Sequence, residues 1–342
     1  MTSLNKAFTR RAFGAVTLSA ASALALAACG QGSPSAPAGS TATGSAASGS
    51  GASNLTKITL GVLPITDVAP IYLGQKQGIF EKHGLELDIQ IAQGGAAILP
   101  AVTTGEYVIG YSNVVSLLIA QDKGLPIKVV FNGSSSTNKP GADVTEVAAK
   151  PDKGIASAKD LVGKKVAVNA LNNFADITIR NSVKKAGGDP SQLSFVEIPY
   201  PQMPAAIDRG DVDAAWTTEP FRTQILESGG KIVASPMTDM AQNFDSAFFF
   251  TSQQSLTDKA DVIAKFRTAL AESFDYTNAN EAAFREIIQD YAKVTPDLAK
   301  KVVMSKWNNK INQDALKTLG AAAKEFGVIS KEPDIAGLLA ES

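Results

Sequence analysis

Gly210-Asp211-Val212-Asp213-Ala214-Ala215-Trp216-Thr217-Thr218-Glu219-Pro220-Phe221 reads as a helix stop, a buried strand, a polar loop and the start of another helix. Gly210 closes the helix-like run 204–209 and suits the left-handed cap position, where a β-carbon would clash. Residues 212–216 are short and mostly apolar, the composition of a strand covered on both faces. Thr217, Thr218 and Glu219 then supply hydroxyls and a carboxylate at the strand's carboxyl end, and the Glu219 carboxylate is expected to point into a cleft. Pro220 opens the next helix, where its missing N–H would have had no partner anyway.

The same arrangement occurs earlier in the chain. A helix-like segment ends at Gly105-Glu106, and residues 107–111 lead as a strand into Ser112-Asn113. In both copies a glycine-acid pair precedes an aromatic, Tyr111 or Trp216, by the same interval, and hydroxyl or amide residues follow. Residues 124–130 and 229–234 continue the parallel, each a glycine turn and a strand. Two similar α/β lobes follow, each offering a polar loop at a strand's carboxyl end, where open α/β sheets bind ligands.

Other strand ends add to the set. Residues 57–63 form a β-rich run that leads to Thr66 and Asp67; Gly94-Gly95 opens a helix after the strand 85–91; and the strand 128–132 leads to Ser134. Asn172, Asn173 and Phe174 precede a helix over 175–186, where asparagines serve as N-caps and free N–H groups suit an anion or a polar head. Tyr200 and Met203 follow the strand 195–198 and suit either an apolar ligand wall or ordinary core. Chain passage between the lobes is expected near 144–150 and again at 247–251. Beyond that, Ile263, Phe266, Leu270 and Phe274 recur on one helical face, and the C-terminal helices are expected to pack on the first lobe. The expected lobes are 55–144 with 248–342, and 145–247.

The composition is that of an ordinary globular chain: 342 residues, 44% hydrophobic, 19% charged, formal net charge −1. Near-balance without a basic cluster argues against a nucleic-acid partner. One histidine and one cysteine exclude a site of several His and Cys metal ligands, and neither a metal nor a cofactor is expected. His83, beside Gly84 at a helix end, reads as a solvated capping residue.

Residues 1–29 read as an export segment, with Lys6, Arg10 and Arg11 ahead of an alanine-rich apolar run too short to span a bilayer. Thr9-Arg10-Arg11-Ala12-Phe13 resembles a twin-arginine signal, although Gly14 and Ala15 depart from the usual continuation, so ordinary secretion also stays open. Leu26-Ala27-Ala28-Cys29 resembles a bacterial lipobox, which implies that Cys29 is lipidated and anchors the protein outside the cytoplasm. Residues 30–54 are almost wholly Gly, Ser, Ala, Pro and Thr, the composition of a flexible tether.

Four further motifs carry a family resemblance: Pro64-Ile65-Thr66-Asp67-Val68-Ala69-Pro70, Gly78-Ile79-Phe80-Glu81-Lys82-His83-Gly84-Leu85, Asp160-Leu161-Val162-Gly163-Lys164-Lys165 and Gly210-Asp211-Val212-Asp213-Ala214. In this order, together with the lipobox and tether, the chain resembles the substrate-binding proteins of nitrate, sulfonate and taurine type ABC importers over about residues 57–330. The resemblance implies a two-lobed periplasmic-binding-protein fold of type II-like form with two crossings. It also implies a monomer that holds a small-molecule ligand in its cleft for a membrane permease and its ATPase. Carried over by position, the cleft residues are Thr66, Asp67, Gly94, Gly95, Ser112, Asn113 and Ser134 from the first lobe. Asn172, Asn173, Phe174, Tyr200, Met203, Thr217 and Glu219 face them from the second.

No Arg or Lys falls in these loops, so an anion would rest on hydroxyls and N–H groups, while Asp67 and Glu219 favour an amine or other hydrogen-bond donor. Sulfonates, zwitterions such as taurine and amino-pyrimidine thiamine precursors all stay open. An enzyme of the pyrimidine-synthesising branch is the rival class. Against it, the chain has no Gly-x-Ser-x-Gly elbow, no phosphate loop with its lysine and no histidine in a cleft loop. If Cys29 carries the anchor, Cys29→Ser should release the protein from membranes or leave its precursor unprocessed; unchanged partition on fractionation would overturn the lipobox reading.

Overall fold

The computed structural model describes residues 55–340; the export segment with Cys29 and the 30–54 tether lie outside them. The chain opens with β1 (Thr56–Val62), then α1 (Ala69–Lys76) and α2 (Ile79–Lys82), and returns as β2 (Leu85–Ile91) in parallel to β1. Gly78 separates the two helices in the left-handed region, with φ 68°. Next come α3 (Gly95–Thr103), β3 (Ile109–Asn113), α4 (Val114–Asp122) and β4 (Ile127–Ser135).

The chain then crosses to a second sheet. There β5 (Thr145–Ala149) is followed by β6 (Lys165–Val168), α5 (Phe174–Lys185), β7 (Ser194–Glu197), α6 (Met203–Arg209), β8 (Ala214–Thr218), α7 (Phe221–Glu227), β9 (Lys231–Ala234) and α8 (Pro236–Met240). It crosses back in β10 (Asp245–Ser252), which joins the first sheet. Six helices follow: α9 (Gln253–Asp258), α10 (Ala260–Ala279), α11 (Glu281–Tyr291), α12 (Pro296–Lys301), α13 (Gln313–Glu325) and α14 (Ile335–Leu338).

The two sheets have one topology. Their strand orders are β2-β1-β3-β10-β4 and β7-β6-β8-β5-β9, each with three parallel strands and one antiparallel strand set between the third and the edge. The resemblance of residues 105–113 to 210–218 is thus the correspondence of β3 with β8, and the two glycine-turn strands correspond as the edges β4 and β9. In both copies the strand begins two residues later than apolarity predicts, at Ile109 and Ala214 rather than at residues 107 and 212, and it runs on through Asn113 and Thr218. Val108 and Val212 are buried, but they lie just ahead of the strands.

The return crossing enters the first sheet at Asp245, three residues before the expected boundary at 248, and pairs there with Ser135. Beyond β10, Ile263, Phe266, Leu270 and Phe274 of α10 are all buried, and α10 packs on α1 and α2 of the first lobe as expected. The C-terminal helices also reach the second lobe: α13 packs on both α4 and α5, and α12 touches α7. Lys184–Glu325 and Lys301–Glu227 are ion pairs across those contacts.

The first crossing carries two buried acids. Asp143 accepts from Thr137 N at 2.9 Å, from Val144 N at 2.8 Å and from Ser136 Oγ, while Glu146 Oε1 accepts from Asp143 N at 3.0 Å. Burial pushes the Glu146 carboxyl up to about 7, against the pull of that N–H. An unfolded glutamate ionises near 4.5, so between 4.5 and about 7 the unfolded chain binds fewer protons, and stability falls as pH rises through that window. Glu146→Gln should remove this slope and stabilise the chain at pH 8 by on the order of 3 kcal/mol, read by urea unfolding across pH. An unaltered pH profile would contradict a buried, unpaired Glu146.

Candidate functional site

Between the sheets lies a cavity of about 390 Å³ of atom-free space, open at its mouth. It is built by the alternation of the two equivalent strands. Tyr111 and Asn113 of β3 and their counterparts Trp216 and Thr218 of β8 line it, whereas Ser112 and Thr217, one residue out of phase, do not. Asp67, on a short helical turn after β1, brings its carboxylate to the same space. Gly95, Thr145, Phe174, Tyr200, Ser246 and the apolar Leu63, Ile65 and Ala247 complete most of the wall. Asn169 closes it towards the mouth, where a second hollow is lined by Gln93, Gly94, Ser116 and Glu197.

The walls divide by chemistry. Trp216 is 2% exposed, meets Phe174 edge-on at 5.4 Å and lies 6.1 Å from Tyr200, so the second lobe presents an aromatic face. Its indole N–H has no hydrogen-bond partner. On the first-lobe side, Asp67 Oδ2 accepts from Ser134 Oγ at 2.7 Å and Oδ1 from Ser305 Oγ at 3.3 Å, while Tyr111 Oη and Ser246 Oγ lie 3.1 and 2.9 Å from the same Ser134 hydroxyl. Trp307 Nε1 donates to the Asp67 carbonyl at 2.7 Å. No Lys or Arg pairs with Asp67 among the described residues. Burial raises the Asp67 carboxyl above its ordinary value, with Ser134 and Ser305 opposing and the Asp143 charge adding to the rise.

Three helix N-termini meet the cavity. Gly95 begins α3, Asn113 caps α4 through an Oδ1 that accepts from Ser116 N, and Phe174 begins α5. Gly95 is required by space, since a β-carbon there would fall 2.2 Å from Ser112 Oγ and 2.8 Å from Ser112 Cα. Together these N-termini offer partial positive charge to an anionic or acceptor group.

Of the residues expected at the cleft, Asp67, Gly95, Asn113, Phe174 and Tyr200 line the cavity, and Gly94 lines its mouth. Ser134 stands one hydrogen bond behind Asp67. Asn173 caps α5 and bonds Ser116 of the first lobe at 3.3 Å, joining the lobes rather than lining the space. Thr66, Ser112, Asn172, Met203 and Thr217 lie off the cavity. Asn172 holds a left-handed turn, φ 49°, and donates its N–H to Asp176, while Met203 is fully buried in the second lobe.

Glu219 corrects the expectation most sharply. Its carboxylate points away from the cavity into the protein, where it pairs with Arg222 at 3.2 Å and accepts from Thr223 Oγ1 and Val303 N. The helix that follows it presents Arg222 and Thr223, so an acid here is drawn to α7 and not to the cleft. Tyr111, Trp216, Thr218, Thr145, Asn169 and Ser246, with the apolar Leu63, Ile65 and Ala247, are the lining residues that loop-based reasoning missed; period-two alternation along β3 and β8 identifies the first three.

A family model described as NMT1/THI5 like matches residues 65–283, more than half of the chain. The chain belongs to the NMT1/THI5-like family. It is 28% identical over 169 residues to the taurine-binding periplasmic protein of Escherichia coli, covering 49% of this chain and 50% of that protein. It is 28% identical over 236 residues to the nitrate/nitrite binding protein NrtA of Synechococcus elongatus, covering 60% and 52%. The chain spans about half the length of these curated relatives. In fold it superposes on the alkanesulfonate-binding protein SsuA of Xanthomonas axonopodis with a TM-score of 0.70 at 15% identity, over 84% of this chain and 98% of that one. The periplasmic-binding-protein fold of this NMT1/THI5-like chain is thereby established.

A buried carboxylate without a cation opposes folding. Asp67→Asn should raise the stability of the ligand-free protein at pH 8 by about 1–3 kcal/mol, measured by urea unfolding. A loss of stability would mean that Asp67 is held for the fold and not for a ligand.

Proposed function

We propose that this protein is the extracytoplasmic solute-binding component of an ABC importer. In this reading it is a monomer tethered through lipidated Cys29 that delivers its solute to a membrane permease driven by an ATPase. The two expected lobes, 55–144 with 248–342 and 145–247, close on the ligand. The relatives named for taurine, nitrate and alkanesulfonate support the class of solute.

The observation that carries the choice within that class is Asp67, the one charged side chain lining the inner cavity among the described residues. A simple anion such as nitrate would meet that carboxylate unshielded, which disfavours it. An ammonium or ring N–H would instead supply the missing partner. The helix N-termini at Gly95, Asn113 and Phe174 suit an acceptor or anionic end. The ligand is therefore a small dipolar organic solute, with taurine-like sulfonates as the leading class. The aromatic face of Phe174, Tyr200 and Trp216 favours a second reading, a flat amino-heteroaromatic of the thiamine-pyrimidine kind, bound by the same Asp67.

Calorimetric titration with taurine, ethanesulfonate and 4-aminopyrimidine separates these readings. The amine-bearing compounds should bind more tightly than ethanesulfonate by about 1.5–3 kcal/mol, the range for a hydrogen bond to a charged group. Asp67→Asn should erase that difference. Ethanesulfonate binding as tightly as taurine would overturn the donor-end assignment.

A further inference from the structure

Glu219 holds the two lobes together by both its main chain and its side chain. It follows β8 of the second lobe and is fully buried. Its carbonyl accepts from Thr66 N of the first lobe at 3.2 Å, and its N–H donates to Val144 O in the first crossing at 3.1 Å. Its Oε1 accepts from Val303 N at 3.1 Å, from Thr223 Oγ1 at 2.8 Å and from Arg222 Nη1 at 3.2 Å; Oε2 accepts from Thr223 N at 3.2 Å. Arg222 Nη2 in turn donates to Gly141 O at 2.8 Å, in the same crossing.

Val303 opens a segment that lies against the first lobe. Lys306 bridges Ser135 at the end of β4, Trp307 Nε1 donates to Asp67 O at 2.7 Å, and Ser305 Oγ donates to Asp67 Oδ1 at 3.3 Å. Residues 303–307 thus run from Glu219, behind the cavity, to Asp67, which faces into it. One end of this strap touches the second lobe and the other fixes the carboxylate of the proposed site.

We infer that Glu219 is a positioning residue: an interlobe clasp that favours the closed arrangement and slows ligand release, acting through the 303–307 strap and not by touching ligand. The inference rests on the two-lobed binder reading. The chemistry suits a reversible contact. When the lobes part, Val303 N gains water, while Glu219 keeps Arg222 and both Thr223 donors, so no unpaired buried charge is left behind. The contact with Val303 therefore adds to the closed state alone, which is the condition for shifting a two-state equilibrium.

The test uses the full chain with genetically encoded, non-cysteine labels at the exposed Lys159 and Lys265, one on each lobe, together with amide exchange at residues 300–307. Without ligand, Glu219→Ala should widen the interlobe distance distribution and speed exchange at Val303 by about tenfold. Val303→Pro removes the donor from the other side and leaves Glu219, Arg222 and Thr223 intact, so it should produce the same widening. With taurine as the probe, Glu219→Gln should raise the dissociation rate by up to about tenfold and leave the association rate nearly unchanged. If Glu219→Ala fails to fold, Val303→Pro decides. Val303→Pro with strands still protected and the distance distribution unchanged would reduce Glu219 to local support of α7 and overturn the clasp. Taurine failing to bind while the distances shift would leave the clasp standing and count against the ligand reading alone.

Discussion

Each sheet is completed by a strand that arrives from the other lobe. β5 enters the second sheet between β8 and β9, and β10 enters the first between β3 and β4, both antiparallel to their neighbours. An inserted interior strand satisfies main-chain donors and acceptors on both its edges, so removing it would expose two rows of them. Neither sheet can be finished before the chain has crossed. The crossings are consequently fixed at their ends by sheet pairing and free to bend only between them, around residues 136–144 and 241–244. The same arrangement places the buried Asp143 between the sheets, with Glu146 just inside β5.

Against this frame, polarity is unevenly divided. Tyr111 and Trp216 occupy equivalent positions on equivalent strands, yet their polar atoms differ in fate. The Tyr111 hydroxyl is engaged with Ser134, which is committed to Asp67. Trp216 keeps an unpaired N–H. One lobe therefore contributes a carboxyl acceptor, and the other contributes a donor. A buried donor and a buried carboxylate that do not meet each other are ordinarily a sign of a missing third group.

Much of this was readable from residues. The repeat between 105–113 and 210–218 identified two equivalent strands, and the stretch after β1 located Asp67. The residues that went astray did so for physical reasons. Apolar Val108 and Val212 are buried just ahead of the strands, Val108 with its N–H already on Thr59 O of β1, and hydrophobicity alone does not separate a buried lead-in from a strand. Treating 217–218 as loop then removed the alternation that assigns Thr218 inward and Thr217 outward. For Glu219, the Arg222 partner stands three residues along a helix start and was legible, but Val303 lies 84 residues away, beyond any local rule. Trp216 was quoted as a strand residue and not as a site residue, because a large aromatic in an apolar run reads as core until an empty space is found beside its N–H.

The uneven polarity bears on how closure is controlled in the proposed binder. Closing without ligand would bury the Trp216 N–H without a partner, at a cost of about 1–3 kcal/mol, and would leave the Asp67 carboxyl with only its Ser134 and Ser305 donors. The Glu219 contact to Val303 and the Asn173 contact to Ser116 work in the opposite direction, since both join the lobes whatever the cavity holds. Two hydrogen bonds of ordinary worth, about 1 kcal/mol each, are of the same size as that penalty. The balance leaves the empty protein close to even between open and closed. A ligand that supplies both an acceptor for Trp216 and a further donor for Asp67 satisfies both walls at once, whereas a ligand supplying only one leaves the other wall as it was. Near-even populations make the response sensitive, because a difference of a few kcal/mol moves a two-state equilibrium across most of its range. Selectivity in such a design comes from completing a circuit between the lobes, and a solute with a single kind of polar group fails at the step of closure even where it fits the space.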